Sequence, residues 1–157
     1  MNRPRRNVPA GMRRSAPGLV VREGSYRLPD DVARRVRSGH PWVFREALAG
    51  RAMGEPTGTL IDLTSGNGSF LARGFVDKEH AVAVRVLSRD PKEKLHPGAG
   101  AIASRLRQAV QLRWLLLGPE RPSALRLFAG ESEGLPGVTV DRYGEFVVVQ
   151  WYSAGAL

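Results

Sequence analysis

A short stretch of the chain, residues 34–45, brings positive charge and an aromatic ring together. Its relevant side chains are Arg34, Arg35, Arg37, His40, Trp42 and Arg45. Guanidinium groups bind phosphates, and an aromatic ring can stack on a nucleobase, each stack contributing about 1–3 kcal/mol. These residues are therefore candidates for binding RNA. The alternative is structural. Large aromatic side chains are mostly buried, so a core position is favoured for Trp42, and the arginines can equally form a solvated helix face.

A further basic candidate, Arg73, lies in the segment SFLARGFV at residues 69–76. Strand alternation places Arg73 on the same face as Leu71 and Phe75. An arginine among apolar neighbours either extends along its aliphatic stem to the surface or points at a ligand. We therefore keep Arg73 among the candidate RNA contacts.

The sequence offers no convincing catalytic or metal-binding set. Glu131, Glu133 and Asp141 could act as paired carboxylates or hold a hard cation, but no histidine lies near them in sequence. The chain has no cysteine, which removes disulfides, thiolate nucleophiles and cysteine-bearing zinc sites. Its histidines are widely separated: His40, His80 and His96. We therefore predict no catalytic residue, no cofactor-binding residue and no metal ligand in this chain.

The positive charge is concentrated at the N-terminus. The net charge is +9, and residues 1–22 contain six arginines and no acidic residue, which leaves +3 for residues 23–157. Three prolines disfavour a helix at the start, so residues 1–17 are predicted to be a disordered basic tail. No apolar run approaches the roughly 20 residues that a bilayer requires, and no hydrophobic segment follows the basic start. These features favour a cytoplasmic protein that contacts no membrane.

The N-terminal half has the pattern of a small β-rich domain. Strands are predicted from residue 19 and at 59–63, 69–76 and 81–87, with a short helix opening at Asp30 and an extended segment after Pro41. The segment from Ser65 to Gly68 joins two strands, so its glycines indicate a turn and not a phosphate-binding loop. Several short strands with one small helix suggest a compact barrel.

The pattern changes after a polar, proline-containing segment at residues 88–99. A helical apolar period predicts one amphipathic helix over residues 101–117, followed by strands at 124–129, 137–141 and 146–152. The last strand is apolar on consecutive residues from Phe146, as expected for a strand that is covered on both faces. We therefore expect it to contact a further domain, or to self-associate through its edge.

Two motifs resemble a known family. The segments GHPWVF (39–44) and GSFLARG (68–74) resemble the RNA-binding PUA domain at the N-terminus of S-adenosylmethionine-dependent ribosomal RNA methyltransferases, including large-subunit enzymes that form 5-methylcytosine. Residues 105–150, with the pattern GESEGLPGVTVDRYG, resemble the central α/β domain of the same family. The resemblance implies an α+β chain of three parts. These are a tail at 1–17, a PUA-like small β-barrel at 18–90, and an α/β domain at 98–157 with one long helix and antiparallel strands, which is expected to be incomplete.

The same resemblance implies a function and leaves alternatives open. In the family a Rossmann-like domain follows, with the S-adenosylmethionine loop and catalytic cysteines, and this sequence matches neither. The chain is therefore expected to bind ribosomal RNA, and to have no methyltransferase activity alone. The Glu131 loop is expected to cap a turn and to contact the catalytic domain. The alternatives are a stand-alone RNA-binding adaptor, one half of a split enzyme, and a fragment of a longer reading frame.

Overall fold

The computed structural model describes residues 20–48, 53–93, 99–118 and 122–153. These residues form two helices, two 3₁₀ turns and eight strands. In chain order they are β1 (Val20–Arg27), α1 (Asp30–Arg37), β2 (Trp42–Phe44), a 3₁₀ turn (Glu46–Leu48), β3 (Thr59–Thr64), β4 (Phe70–Val76), β5 (Val82–Ser88), α2 (Ala99–Leu117), β6 (Ala124–Phe128), a second 3₁₀ turn (Gly130–Glu133), β7 (Val138–Tyr143) and β8 (Phe146–Trp151). The predicted basic tail, residues 1–17, lies outside the described residues.

The N-terminal half is built on a five-stranded sheet with the order β1-β3-β4-β5-β2. β1 runs parallel to β3, and the other neighbours are antiparallel. The predicted barrel would require its two edge strands, β1 and β2, to pair with each other. Among the described residues β1 and β2 do not pair, so the hydrogen bonds define an open sheet and not a closed barrel.

Helix α1 covers one face of this sheet. Its apolar residues Val32, Ala33 and Val36 are buried, while two acidic residues occupy its first turn and three arginines its last. This charge order is favourable for the helix dipole. Gly39 adopts a φ of 104°, which lets the chain turn away after the helix. The buried face packs into a core cluster with Val43, Ile61 and other sheet residues.

The C-terminal half is a three-stranded antiparallel sheet, β6-β7-β8, with α2 packed on β6 and on the second 3₁₀ turn. A second core cluster lies here, around Phe128, Leu135 and Val138, and it also contains Leu60 and Phe75 from the first sheet. The two halves therefore share apolar packing. Of the described helices, neither is long and apolar enough to cross a membrane.

Candidate nucleic-acid interface

Two arginines of α1 line an open surface cleft. Arg34 and Arg37 are exposed, and within the described part of the chain neither makes a hydrogen bond or ion pair. The cleft has a volume of about 460 Å³ and is lined by Asp30, Ala33, Arg34, Arg37, Ser65, Gly66 and Asn67. Unpaired guanidinium groups over an open cleft can bind phosphates without first breaking an internal ion pair.

The other wall of the cleft is the turn between β3 and β4. The side-chain oxygen of Asn67 accepts hydrogen bonds from Ser65 Oγ (2.6 Å) and from the backbone N–H of Ser69 (3.1 Å). These bonds hold the Asn67 amide in place beside the helix. A Cβ at Gly66 would lie 3.0 Å from Asp30 Oδ1, so glycine allows this turn to approach α1 closely. The turn predicted from Ser65 to Gly68 is thus confirmed, and it also forms one side of the cleft.

Arg27 is a further exposed arginine on β1, but it does not line the cleft. It ends β1, and it pairs in register with Thr64, the residue before Ser65. Its side chain has no partner among the described residues. The lining of the cleft thus holds two guanidinium groups, those of Arg34 and Arg37, and one carboxylate, that of Asp30, so the local charge is +1. The place of Asn67 at the cleft could not be predicted from the sequence, because no local pattern shows that α1 and the turn meet.

Arg35 differs from its neighbours on α1. Its Nη2 lies 2.7 Å from Asp31 Oδ2, one helical turn earlier, and both side chains are more than half exposed. The hydrogen bond from Arg35 lowers the pKa of the Asp31 carboxyl. Arg35 is therefore already partly neutralised, although it remains accessible at the surface.

The predicted aromatic part of the site forms a closed cluster. His40, Trp42 and Phe44 meet edge to face or tilted, with ring centroids 6.0–6.2 Å apart. The small cavity beside them has about 10 Å³, room for a single water and not for a nucleobase. Trp42 is half-buried, and its Nε1 donates to Glu131 Oε1 (3.0 Å). Trp42 therefore packs against neighbouring side chains but belongs to neither core cluster, and an RNA role for Trp42 or His40 stays a prediction.

Arg45 and Arg73 lie outside the lining of the cleft, and both make structural contacts. Arg45 donates to the backbone oxygens of Asp77 (2.6 Å) and His80 (3.0 Å). Arg73 forms a two-pronged pair with Asp62 at 2.6 and 3.0 Å, and also donates to the backbone oxygen of Glu93. Arg73 thus neither extends freely to solvent nor points at an open site, because its carboxylate partner lies directly opposite on β3. An RNA role for either residue stays a prediction.

The acidic residues of the second half are mostly paired with arginines. Arg126 forms a two-pronged pair with Asp141, which lowers the pKa of that carboxyl. Glu133 pairs with Arg113 and also accepts a hydrogen bond from the backbone N–H of Ala129. No group of three or more potential metal ligands occurs among the described residues. Glu133 therefore holds the turn after β6, as the expected capping role requires.

Comparison with known proteins agrees with the two motifs. Residues 27–89 match the family model of the PUA-like domain. Ribosomal RNA large subunit methyltransferase I of Escherichia coli (strain K12) is 40% identical over 117 residues, and the enzyme of the same name from Shigella flexneri is equally similar. The match covers 74% of this chain and 29% of each relative, so this chain spans less than a third of their length.

Solved structures show the same fold. A "putative sam-dependent methyltransferase" from Streptococcus mutans superimposes with a TM-score of 0.71 at 17% identity, over 84% of this chain and 34% of that one. A second structure, of a methyltransferase complexed with SAH, gives the same TM-score. The chain therefore carries a PUA-like domain at residues 27–89, and its resemblance to the PUA-containing ribosomal RNA large-subunit methyltransferases, predicted from two motifs, is confirmed.

Proposed function

We propose that this chain is the RNA-binding part of a ribosomal RNA cytosine methyltransferase. In this proposal the PUA-like domain and the region after it position the RNA, and a catalytic domain outside these 157 residues transfers the methyl group from S-adenosylmethionine. Such an enzyme would work in the cytoplasm. The observation that carries the RNA-binding role is the pair of unpaired arginines, Arg34 and Arg37, over an open cleft.

The distribution of ion pairs supports this location. Five arginines, none much more than half exposed, each face a carboxylate at hydrogen-bonding distance: Arg73, Arg85, Arg105, Arg113 and Arg126. At the cleft, by contrast, two guanidinium groups accompany a single carboxylate and neither is paired with it. Phosphate groups can supply the missing negative charge, and the release of their counterions would favour binding. Asn67 adds an amide that can hydrogen-bond to a base edge or to a ribose.

S-adenosylmethionine itself does not fit the residues described here. The turn at residues 65–68 joins two strands and does not open a helix, so it lacks the helix N-terminus that a phosphate- or cofactor-binding glycine loop uses. The connection from β1 to α1 passes through Leu28 and Pro29, without a glycine. The cofactor is therefore assigned to the proposed catalytic domain.

Titration of the 157-residue chain with a structured ribosomal RNA fragment tests this proposal. Fluorescence anisotropy should show binding at low salt, and the logarithm of affinity should fall linearly with the logarithm of salt concentration, by about 0.7–0.9 for each phosphate neutralised. Adding S-adenosylmethionine should not change the affinity. If the chain does not bind RNA even at low salt, the proposal fails.

A further inference from the structure

The cleft between α1 and the β3–β4 turn holds a hydrogen-bond acceptor as well as its two arginines. Asp30 lines the same cleft as Arg34 and Arg37, and an ionised carboxylate accepts hydrogen bonds but cannot donate one. A surface that bound only phosphates would gain nothing from this carboxylate, because two anions repel each other. The ligand of the cleft therefore presents N–H or O–H donors as well as phosphate.

Two aspartates with identical helical spacing differ in whether their charge is neutralised. Asp31 and Arg35 are four residues apart on α1 and form an ion pair of 2.7 Å. Asp30 and Arg34 have the same spacing, which suits an ion pair equally well, yet within the described part of the chain they form none. It is the unpaired couple that lines the cleft. The Asp30 carboxylate and the Arg34 guanidinium are therefore both available to a ligand.

Asn67 supplies hydrogen-bond donors beside this carboxylate. Its Oδ1 accepts from the backbone N–H of Ser69 (3.1 Å), a group that can only donate, and from Ser65 Oγ (2.6 Å), so the orientation of the amide is fixed. Its Nδ2 makes no hydrogen bond to any described residue, and both of its N–H groups remain for a ligand. A Cβ at Gly66 would lie 3.0 Å from Asp30 Oδ1, so the amide and the carboxylate lie at the same end of the cleft.

The arginines extend the cleft from this end along the helix. Asp30, Arg34 and Arg37 are spaced four and three residues apart and therefore share one face of α1. Asp30 and Arg37 are separated by about 10 Å along the helix axis. Ala33 lies between them in the lining, and its methyl group fills little of the space. This length suits one nucleotide, with its base edge at Asp30 and its phosphates at the arginines.

We propose, on the basis of the RNA-binding function above, that the cleft binds one unpaired guanosine of the RNA. Asp30 accepts hydrogen bonds from guanine N1–H and from the N2 amino group, and Asn67 Nδ2 donates to guanine O6. Arg34 and Arg37 bind the phosphates on either side of the guanosine. Asp30 and Asn67 thus determine which base is selected, and the two arginines supply general affinity.

Guanine suits this arrangement better than the other three bases. Its Watson–Crick edge presents two neighbouring N–H donors, which match the two oxygens of one carboxylate, next to a carbonyl oxygen that matches an amide donor. Adenine and cytosine present one amino group beside an accepting ring nitrogen, and uracil presents one N–H between two carbonyls. In a duplex this edge is already paired, so the guanosine must lie in a loop, in a bulge or at an end of the RNA.

Three RNA hairpins that differ only in one bulged residue test the selection of guanine. Fluorescence anisotropy compares guanosine, adenosine and inosine, which lacks the N2 amino group of guanosine. The chain should bind the guanosine hairpin at least about fivefold more tightly than the adenosine hairpin, the low end for a two-pronged contact with a base, and inosine should fall between them. Equal binding of all three would overturn this inference and leave the RNA-binding function standing, whereas binding of none at low salt would refute both.

Free guanosine monophosphate separates an RNA residue from a small nucleotide as the ligand. It carries the same base edge with a single phosphate, so it should compete with the labelled guanosine hairpin far more weakly than the unlabelled hairpin does. Adenosine monophosphate is the control and should compete less still. Displacement by guanosine monophosphate at the same concentration as by the unlabelled hairpin would assign the cleft to a free nucleotide, contrary to the proposal.

The two neighbouring aspartates provide matched variants. Asp30→Asn and Asp31→Asn each remove one negative charge from an exposed position on α1, so the general attraction to RNA should rise in both. Asp30→Asn also replaces an acceptor with a donor and should abolish the preference for guanosine over adenosine, which Asp31→Asn should keep. Circular dichroism checks that both variants retain the fold. If Asp30→Asn keeps the preference, or if Asp31→Asn loses it, the base is selected elsewhere and the proposal is wrong.

Discussion

Nε1 of Trp42 donates a hydrogen bond of 3.0 Å to Oε1 of Glu131, a residue 89 positions later in the chain. The same oxygen accepts a hydrogen bond from Arg85 Nη1 at 3.1 Å. The Arg85 guanidinium lies 6.0 Å from the centre of the Trp42 ring, and its side chain is only 9% exposed. Glu131 thus joins the second half of the chain to the first sheet, and it supplies the negative charge that a nearly buried arginine requires.

Removing the Glu131 carboxylate should destabilise the protein markedly. In Glu131→Ala, Arg85 remains buried without a counter-charge and Trp42 loses its acceptor. A fully buried pair broken in this way costs about 3–5 kcal/mol, and the partial exposure of Glu131 reduces the expected loss to about 2–3 kcal/mol. Denaturant unfolding, monitored by tryptophan fluorescence, measures this loss of unfolding free energy. Asp31→Ala, which breaks the exposed pair with Arg35, is the control and should leave the stability almost unchanged. Equal losses in the two variants would contradict this account.

A methyl group at residue 74 should not be tolerated. A Cβ on Gly74 would clash with the backbone oxygen of Arg85 and lie 2.9 Å from Val84 Cγ1, because β4 and β5 approach closely at this point. Gly74→Ala should therefore destabilise the first sheet by about 2–4 kcal/mol. Gly54→Ala is the matched control, since a Cβ there meets nothing within 4 Å, and its effect should stay within about 0.5 kcal/mol. Thermal unfolding compares them, and a wild-type melting temperature for Gly74→Ala would show that the strands can separate.

The stability of the chain should fall in acid through Asp77. Burial raises the pKa of this carboxyl, but hydrogen bonds from Ser153 Oγ and from His80 outweigh it, so the pKa is lowered overall. A carboxyl whose pKa is lowered in the folded state stabilises the protein when the pH lies above the pKa of the unfolded state, which is 3.8 for Asp77. This contribution is lost as the pH falls below 3.8 through the folded pKa. Unfolding free energies measured across this window should fall more steeply for the wild type than for Asp77→Asn. Parallel curves would show that Asp77 is not responsible.

The order and type of the elements could be predicted because they depend on local patterns. Acidic residues, arginines and Gly39 mark the ends of α1, and the Asn67-Gly68 turn marks the β3–β4 hairpin. Contacts between residues far apart in the chain have no such local pattern. Nothing in the local sequence shows that Glu131 reaches Trp42 or that Asp62 lies opposite Arg73. Free arginines could therefore not be told from paired ones, and this distinction defines the cleft.

The basic tail should strengthen RNA binding without specifying it. Residues 1–17 contain five arginines, which can contact phosphates of any sequence. A chain that starts at residue 18 should bind RNA more weakly and with a shallower salt dependence, and it should keep its preference for one RNA over another. Competition between two structured RNAs, with and without the tail, measures both effects. Loss of the preference on truncation would place recognition in the tail.

Recognition by the cleft can be separated from general basicity by two neighbouring arginines. Arg34→Ala and Arg35→Ala make the same change on the same helix, but Arg34 is unpaired over the cleft and Arg35 is paired with Asp31. Arg34→Ala should weaken RNA binding more, and Arg34→Ala with Arg37→Ala should reduce the salt slope by about 1.4–1.8, as expected for two lost phosphate contacts. Asn67→Ala should weaken binding while leaving the slope unchanged, because it removes no charge. Both arginines are exposed, so the free energy of unfolding should stay within about 0.5 kcal/mol of the wild type. If Arg34→Ala and Arg35→Ala weaken binding equally, the RNA is held by the overall charge of α1 and not by the cleft.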